Sequence, residues 1–239
     1  MRLEFDIGNT NHKWRLLDRG EVVRRGSFSN SEDGLAGCPH QGVEVIWVAC
    51  VAHARFVDAI AVWAKQYNIE VQQAIVTEQA SGVVCGYEQP QRLGVDRWLA
   101  VLAAYYRYGP TCVIDIGSAM TLDVVDVNGH HLGGYIVPGY QLLLNALFKD
   151  TEKVRWAESE VSEALSLGRN TANAVVSGVK LMLVGFVEQA IARLPVDHTQ
   201  IVFTGGGGRL LREACGDRGL WIEDLVFEGL ALAQREVVS

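Results

Sequence analysis

Apolar and polar positions alternate at the start of the chain and then give way to runs that are apolar throughout. Leu3 to Ile7 is a short apolar run ending in Gly8-Asn9-Thr10, and Trp14 to Leu17 and Val22 to Phe28 read as two further strands. Asp18-Arg19-Gly20 supplies hairpin turn chemistry between those two, so the chain opens as a β-meander. Val43 to Val51 is almost continuously apolar, as a buried central strand would be, and Phe56 to Tyr67 carries apolar residues at helical spacing. Val71 to Val76 completes a β-α-β unit. From Asp96 to Tyr108 the pattern is helical, and Pro110 punctuates its end.

The second half repeats this opening. Val113-Ile114-Asp115-Ile116-Gly117-Ser118 mirrors Phe5-Asp6-Ile7-Gly8-Asn9, and Gly20 and Gly129 lie at the same offset from their Asp-Ile-Gly triplets. The repeat predicts duplication of one α/β unit, with two lobes, residues 1–110 and 111–239, facing each other across a cleft. The remainder reads as mostly helical: Thr171 to Leu194 with Pro195 beyond it, a strand at Gln200 to Phe203, and a closing helix from Leu220 to Arg235.

Composition narrows the classes of function. A chain of 239 residues that is 49% apolar can build an enzyme-sized core. Net charge is -7 and Lys and Arg are scattered singly, so nothing in the sequence is suited to neutralising a nucleic-acid backbone. Five cysteines without a CxxC pair suit reduced thiols in the cytosol, and Cys38-Pro39-His40 is too small a set to read as a metal site. A strand pattern directly after Met1 predicts no signal peptide, and the longest apolar run, near Leu181 to Val187, is far short of the roughly 20 residues of a membrane span. The expectation is a cytoplasmic protein with neither membrane nor nucleic-acid partners.

The two Asp-Ile-Gly loops carry the candidate chemistry. In Asp6-Ile7-Gly8-Asn9-Thr10-Asn11-His12-Lys13 an acid at a strand end precedes a glycine that allows close backbone approach and a set of small polar residues, a cradle for phosphate oxygens. A carboxylate repels phosphate unless Mg2+ lies between them, which places Asp6 in the vicinity of that ion. Asp115-Ile116-Gly117-Ser118-Ala119-Met120-Thr121 is the second copy, and two such loops converging on one polyphosphate point to a nucleotide. Neither GxxxxGK[ST] nor GxGxxG occurs, which excludes the common P-loop and dinucleotide fingerprints. Thr204-Gly205-Gly206-Gly207-Gly208 follows a strand and admits a ligand at close range. In Gly94-Val95-Asp96-Arg97-Trp98, Asp96 is either a helix cap or the acceptor of a hydroxyl proton in phosphoryl transfer, with Arg97 a forked donor for a carboxylate. The six histidines suggest no catalytic role, and Trp14, Trp47 and Trp98 read as core.

Four segments together resemble type III pantothenate kinase, a bacterial family of the actin, Hsp70 and acetate kinase superfamily: DIGNTNHKW at 6–14, GVDRW at 94–98, DIGSAMT at 115–121 running into HLGGYIVPG at 131–139, and NTANAVVSG at 170–178. The resemblance implies two ribonuclease H-like lobes around a nucleotide cleft, and ATP-dependent phosphorylation of pantothenate, with Mg2+, as the first step of coenzyme A synthesis. It makes Asp6 to Lys13, Ser118 and Thr121 the ATP contacts and Asp96 the general base. It further implies that Tyr87, Gly94, Val95 and Arg97 form the pantothenate site and that Thr171 contributes across a homodimer interface. Asp115 resembles the ligand of a monovalent cation, K+ or NH4+. Ser118 stands where the family usually has threonine, and it keeps the hydroxyl. The competing readings are another small-molecule kinase or a polyphosphate hydrolase of the same fold, or a non-catalytic transcriptional accessory factor, which intact Asp6, Asp96 and Asp115 argue against.

Overall fold

The computed structural model describes residues 1–29, 32–51, 55–150, 165–194 and 199–237. Two five-stranded sheets share one topology. The first holds β1 (Arg2–Ile7), β2 (Asn11–Asp18), β3 (Glu21–Ser29), β4 (Val45–Cys50) and β5 (Glu70–Gln73) in the order β3-β2-β1-β4-β5. A small hairpin follows, β6 (Gln79–Ala80) and β7 (Val83–Val84). The second sheet holds β8 (Thr111–Ile116), β9 (Ala119–Val125), β10 (His131–Pro138), β11 (Gln200–Thr204) and β12 (Leu220–Trp221) in the order β10-β9-β8-β11-β12. In each sheet the first three strands in sequence are antiparallel and the last two join in parallel. The duplication read from the sequence is therefore a duplication of strand order and sense. Its two marker glycines both take left-handed backbone in the equivalent β2–β3 and β9–β10 turns, Gly20 at φ 91° and Gly129 at φ 80°.

Period two along the strands decides what each face does. Leu3, Phe5 and Ile7 of β1 turn outward to pack with Phe56, Ile60 and Trp63 of helix α1 (Arg55–Gln66). Cys112, Ile114 and Ile116 of β8 do the same toward α3 (Tyr140–Asp150), α4 (Thr171–Ile191) and α5 (Gly208–Ala214). Asp6 and Asp115, at odd spacing from these residues, face the opposite way, toward the middle of the molecule. That middle is filled by two further helices, α2 (Val95–Tyr108) and α6 (Leu225–Val237), each of which follows the last strand of its sheet. They pack on each other, and they also cross over: α2 touches β8 and β9, and α6 touches β1 and β4. Gly229 lets them approach, since a Cβ there would stand 1.9 Å from the Leu99 carbonyl oxygen. Buried Glu4 and Arg15 tie α6 to the first sheet, because Arg15 pairs with Glu4 at 2.5 Å and donates to the Phe227 carbonyl at 3.1 Å.

Several expectations need correction. The closing helix starts at Leu225, and Leu220 and Trp221 form strand β12 instead. Helix α4 has 21 residues with a mean hydropathy of 1.6 over its most apolar window, so by length and composition it could cross a membrane. Counting uninterrupted apolar residues overlooks this because Ser177 and Lys180 break the run. In this fold α4 is a core helix with Val176, Val179, Leu183 and Val187 buried against the second sheet. All five cysteines are free thiols. His53, Pro195 and His198 lie outside the described residues.

Candidate active site

The cleft is built where the inward faces of β1 and β8 end. Lys13 is the cross-strand neighbour of Asp6, and Thr121 is that of Asp115. The two loops meet: Thr10 Oγ1 and Ser118 Oγ are 2.7 Å apart, although 108 residues separate them in sequence. Asn9, Thr10, Asn11, Lys13 and Ser118 are exposed along this seam. Ile7 and His12 belong to the same motif but turn away into the core, His12 between Phe28 and Phe56, which leaves only their backbone to reach a ligand.

Glycines keep the walls of the cleft thin. Gly205, at φ 79°, brings the glycine tract against the second loop, and a Cβ there would stand 2.2 Å from Asp115 Oδ1 and 2.5 Å from the Ile116 carbonyl. Gly139 seals the loop from the other side, its N–H donating to the Ser118 carbonyl at 2.9 Å.

Asp96 sits in the first turn of α2, one residue inside the helix, so the capping role falls to Gly94. Its carboxylate folds back to accept from its neighbour's amide, Arg97 N–H, at 2.8 Å. Gly94 leaves room for this, since a Cβ there would stand 2.6 Å from Asp96 Oδ1 and the carboxylate would have to shift. Val95 is buried in the central core and positions the turn.

Three acids of the cleft have raised pKa values, and the charge of Asp96 contributes to those of the other two. Burial pushes the Asp6 carboxyl up to about 6 against the opposing pull of Lys13, and Asp96 adds to the rise. Asp115 is pushed up to about 7 by burial and then by Asp96 and Asp6. Burial also holds Asp96 above the ordinary carboxylate range, with the Arg97 N–H and guanidinium working against it and Asp123 with it. Among the described residues, no three His, Cys, Asp or Glu side chains stand close enough together to hold a metal by themselves. Such a donor set fits Mg2+, which is usually held by one or two carboxylates and completes its shell with phosphate oxygens and water.

Arg97 is 6% exposed, and its fork is engaged. Nε and Nη2 donate to the two oxygens of Asp123 at 2.8 and 2.6 Å, and Nη1 donates to the Tyr87 hydroxyl at 2.9 Å. Asp123 and His131, whose Nε2 lies 2.9 Å from Asp123 Oδ1, are site residues that motif reading misses. The signal was present: an acid inside the apolar run Leu122-Asp123-Val124-Val125 must find a partner when buried. Thr171 opens α4, exposed, with Asn170 as the helix cap accepting from Asn173 N–H at 2.7 Å. Among the described residues, Thr171 makes no hydrogen bond to Tyr87, Asp96 or Arg97.

The sequence model of type III pantothenate kinase matches residues 2–193. This chain belongs to the type III pantothenate kinase family. The type III pantothenate kinase of Chromohalobacter salexigens is 38% identical to it, over 96% of this chain and 86% of the relative. That of Ectopseudomonas mendocina is 38% identical over 98% of both chains. Among solved structures, a Campylobacter jejuni protein assigned to the Baf family of transcriptional activators aligns with TM-score 0.65 at 23% identity, covering 99% of this chain and 98% of its own. A Sinorhizobium meliloti protein assigned as a 2-dehydro-3-deoxygalactonokinase aligns with TM-score 0.64 at 16% identity, covering 99% and 97%. At such identities these two carry the fold alone, an actin-, Hsp70- and sugar kinase-like α/β fold. For a type III pantothenate kinase the paired loops and the acid at the start of α2 then take on a specific meaning.

Proposed function

We propose that this protein transfers the γ-phosphoryl group of ATP to the primary hydroxyl of pantothenate, the first step of coenzyme A synthesis, in the cytoplasm. The observation that carries the reading is the convergence on one cleft of three carboxyls with raised pKa values, one from each Asp-Ile-Gly loop and one from the first turn of α2, beside Lys13. Two of them flank a phosphate cradle, and the third belongs to the acceptor.

In this reading Gly8 to Asn11 and Gly117 to Ser118 hold the phosphate chain between backbone N–H groups and the Thr10, Ser118 and Thr121 hydroxyls, and Lys13 neutralises charge. Asp6 would hold Mg2+, which when bound neutralises phosphate charge and polarises the transferring group. Asp115, which burial pushes up to about 7, is suited to a monovalent cation, K+ or NH4+, whose charge would favour its ionised form. Tyr87, Gly94 and Arg97 receive pantothenate. Asp96 orients the hydroxyl and takes its proton as the new P–O bond forms and the bond to the β-phosphate oxygen breaks. Burial raises its pKa, which makes it a stronger base than an ordinary aspartate. A second copy of the chain would bring Thr171 to the cleft, and the exposed apolar residues Leu181 and Met182 on the same helix suit a homodimer contact.

The test is ADP release by purified protein with ATP and Mg2+, with and without pantothenate and with K+ or Na+. Release that depends on pantothenate is expected. Release without it points to a hydrolase or another acceptor, and none under any cation points to a non-catalytic regulator. In the same assay Asp96→Asn is expected to lower turnover by about 10²–10⁴-fold while ATP still binds. Near-normal turnover would remove Asp96 from its role.

A further inference from the structure

Arg97 lies in a closed ring of four side chains drawn from four parts of the chain. It donates to Asp123 of β9 through Nε and Nη2 and to Tyr87, which precedes α2, through Nη1. Asp123 Oδ1 also meets His131 Nε2 from the start of β10, and the His131 ring stacks on Tyr87 with centroids 6.1 Å apart and planes 13° apart. Gly134, opposite Asp123 in the sheet, keeps room for this arrangement, because a Cβ there would stand 2.6 Å from Asp123 Oδ1. Asp123 and His131 are 2% exposed.

The edge that Asp123 occupies is the side of the guanidinium formed by Nε and one terminal nitrogen. Of the five N–H donors of an arginine, three are then used, and one remains on each terminal nitrogen. A guanidinium held in this way cannot rotate without breaking two charge-assisted hydrogen bonds in a buried site. Because Asp123 neutralises its charge, attraction of a distant anion is weak, and selection falls to directional contacts made at close range.

We propose that Asp123 is a positioning residue for substrate selection: it fixes Arg97 so that the remaining N–H groups meet a carboxylate on the acceptor, with His131 holding Asp123 in turn. The inference rests on the pantothenate reading of the cleft. It separates carboxylated acceptors from neutral ones that carry the same reacting hydroxyl.

The experiment measures kcat and KM of wild-type protein and of Asp123→Asn with pantothenate and with pantothenol, in which an alcohol replaces the carboxylate. For Asp123→Asn, kcat/KM for pantothenate is expected to fall by about 10–100-fold, chiefly through KM. The value for pantothenol should fall much less, by the effect on Asp96 that both substrates share, so the specificity ratio narrows. His131→Leu should move the ratio the same way by a smaller factor, and it serves if Asp123→Asn fails to fold. Equal losses on both substrates, or an unchanged ratio, would overturn the assignment and leave a purely structural ion pair. A wild-type protein that ignores pantothenate would overturn the substrate reading and this assignment together, whereas the ratio result overturns the assignment alone. The Arg97 Nε–H resonance should be slow to exchange in the wild type and lost in Asp123→Asn. A wild-type resonance that exchanges freely would also count against positioning.

Discussion

At the scale of single residues, the cleft holds carboxyls that burial first, and neighbouring acids second, make costly to ionise, and a ligand's counter-charge offsets that cost. A raised carboxyl pKa means that the folded state keeps protons the unfolded chain has already lost. With Asp6 near 6 and Asp115 near 7 against an ordinary 3.8, the folded state binds more protons between about 4 and 7. Stability of the ligand-free protein is therefore expected to fall as pH rises through that window. Asp115→Asn removes one of the repelling charges and should raise Tm by about 2–4 °C at pH 8, with a smaller gain at pH 5, while activity drops. Scanning calorimetry at the two pH values checks this, and an equal shift at both would mean that charge is not the cause. The same scale explains why the acids of the motifs were legible and Asp123 was not. Asp6, Asp96 and Asp115 sit beside glycines in recognisable turns. Asp123 is one acid in a strand, and its meaning depends on an arginine 26 residues away.

At the scale of elements, the β-hairpins were legible because alternation and turn residues are local signals. The start of α6 was not: Leu220 and Trp221 are adjacent apolar residues that fit a helical window, and only parallel pairing with Val202 and Phe203 makes them a strand. Ile7 and His12 were read as part of a phosphate loop, yet their register places them opposite each other on the core face of the sheet. The contact between α2 and α6 was equally hidden, since nothing near Gly229 announces that another helix's backbone lies against it. Gly229→Ala should force the helices apart and cost about 1–3 kcal/mol, or more because the opposing atom is backbone. Urea denaturation checks it, and an unchanged midpoint would show that the helices separate without strain.

At the scale of the whole molecule, the two sheets and the two helices between them put the acids of both halves in one cleft. A second copy is expected to complete it. Leu181→Asp on the exposed side of α4 should halve the mass seen by light scattering and lower turnover, because Thr171 lies on the same helix. A dimer that persists in this variant would move the interface elsewhere. The crossing of α6 back onto β1 has a further consequence for how the chain is made. A ribosome adding about 5–20 residues per second makes α6 roughly ten to forty seconds after β1. Throughout that interval the part of the inner face that α6 covers, with Glu4 and Arg15 on it, lacks that cover, and α2 alone packs against the first sheet from inside. A stop codon that removes α6 would therefore leave β1, made long before it, without the helix that covers its inner face.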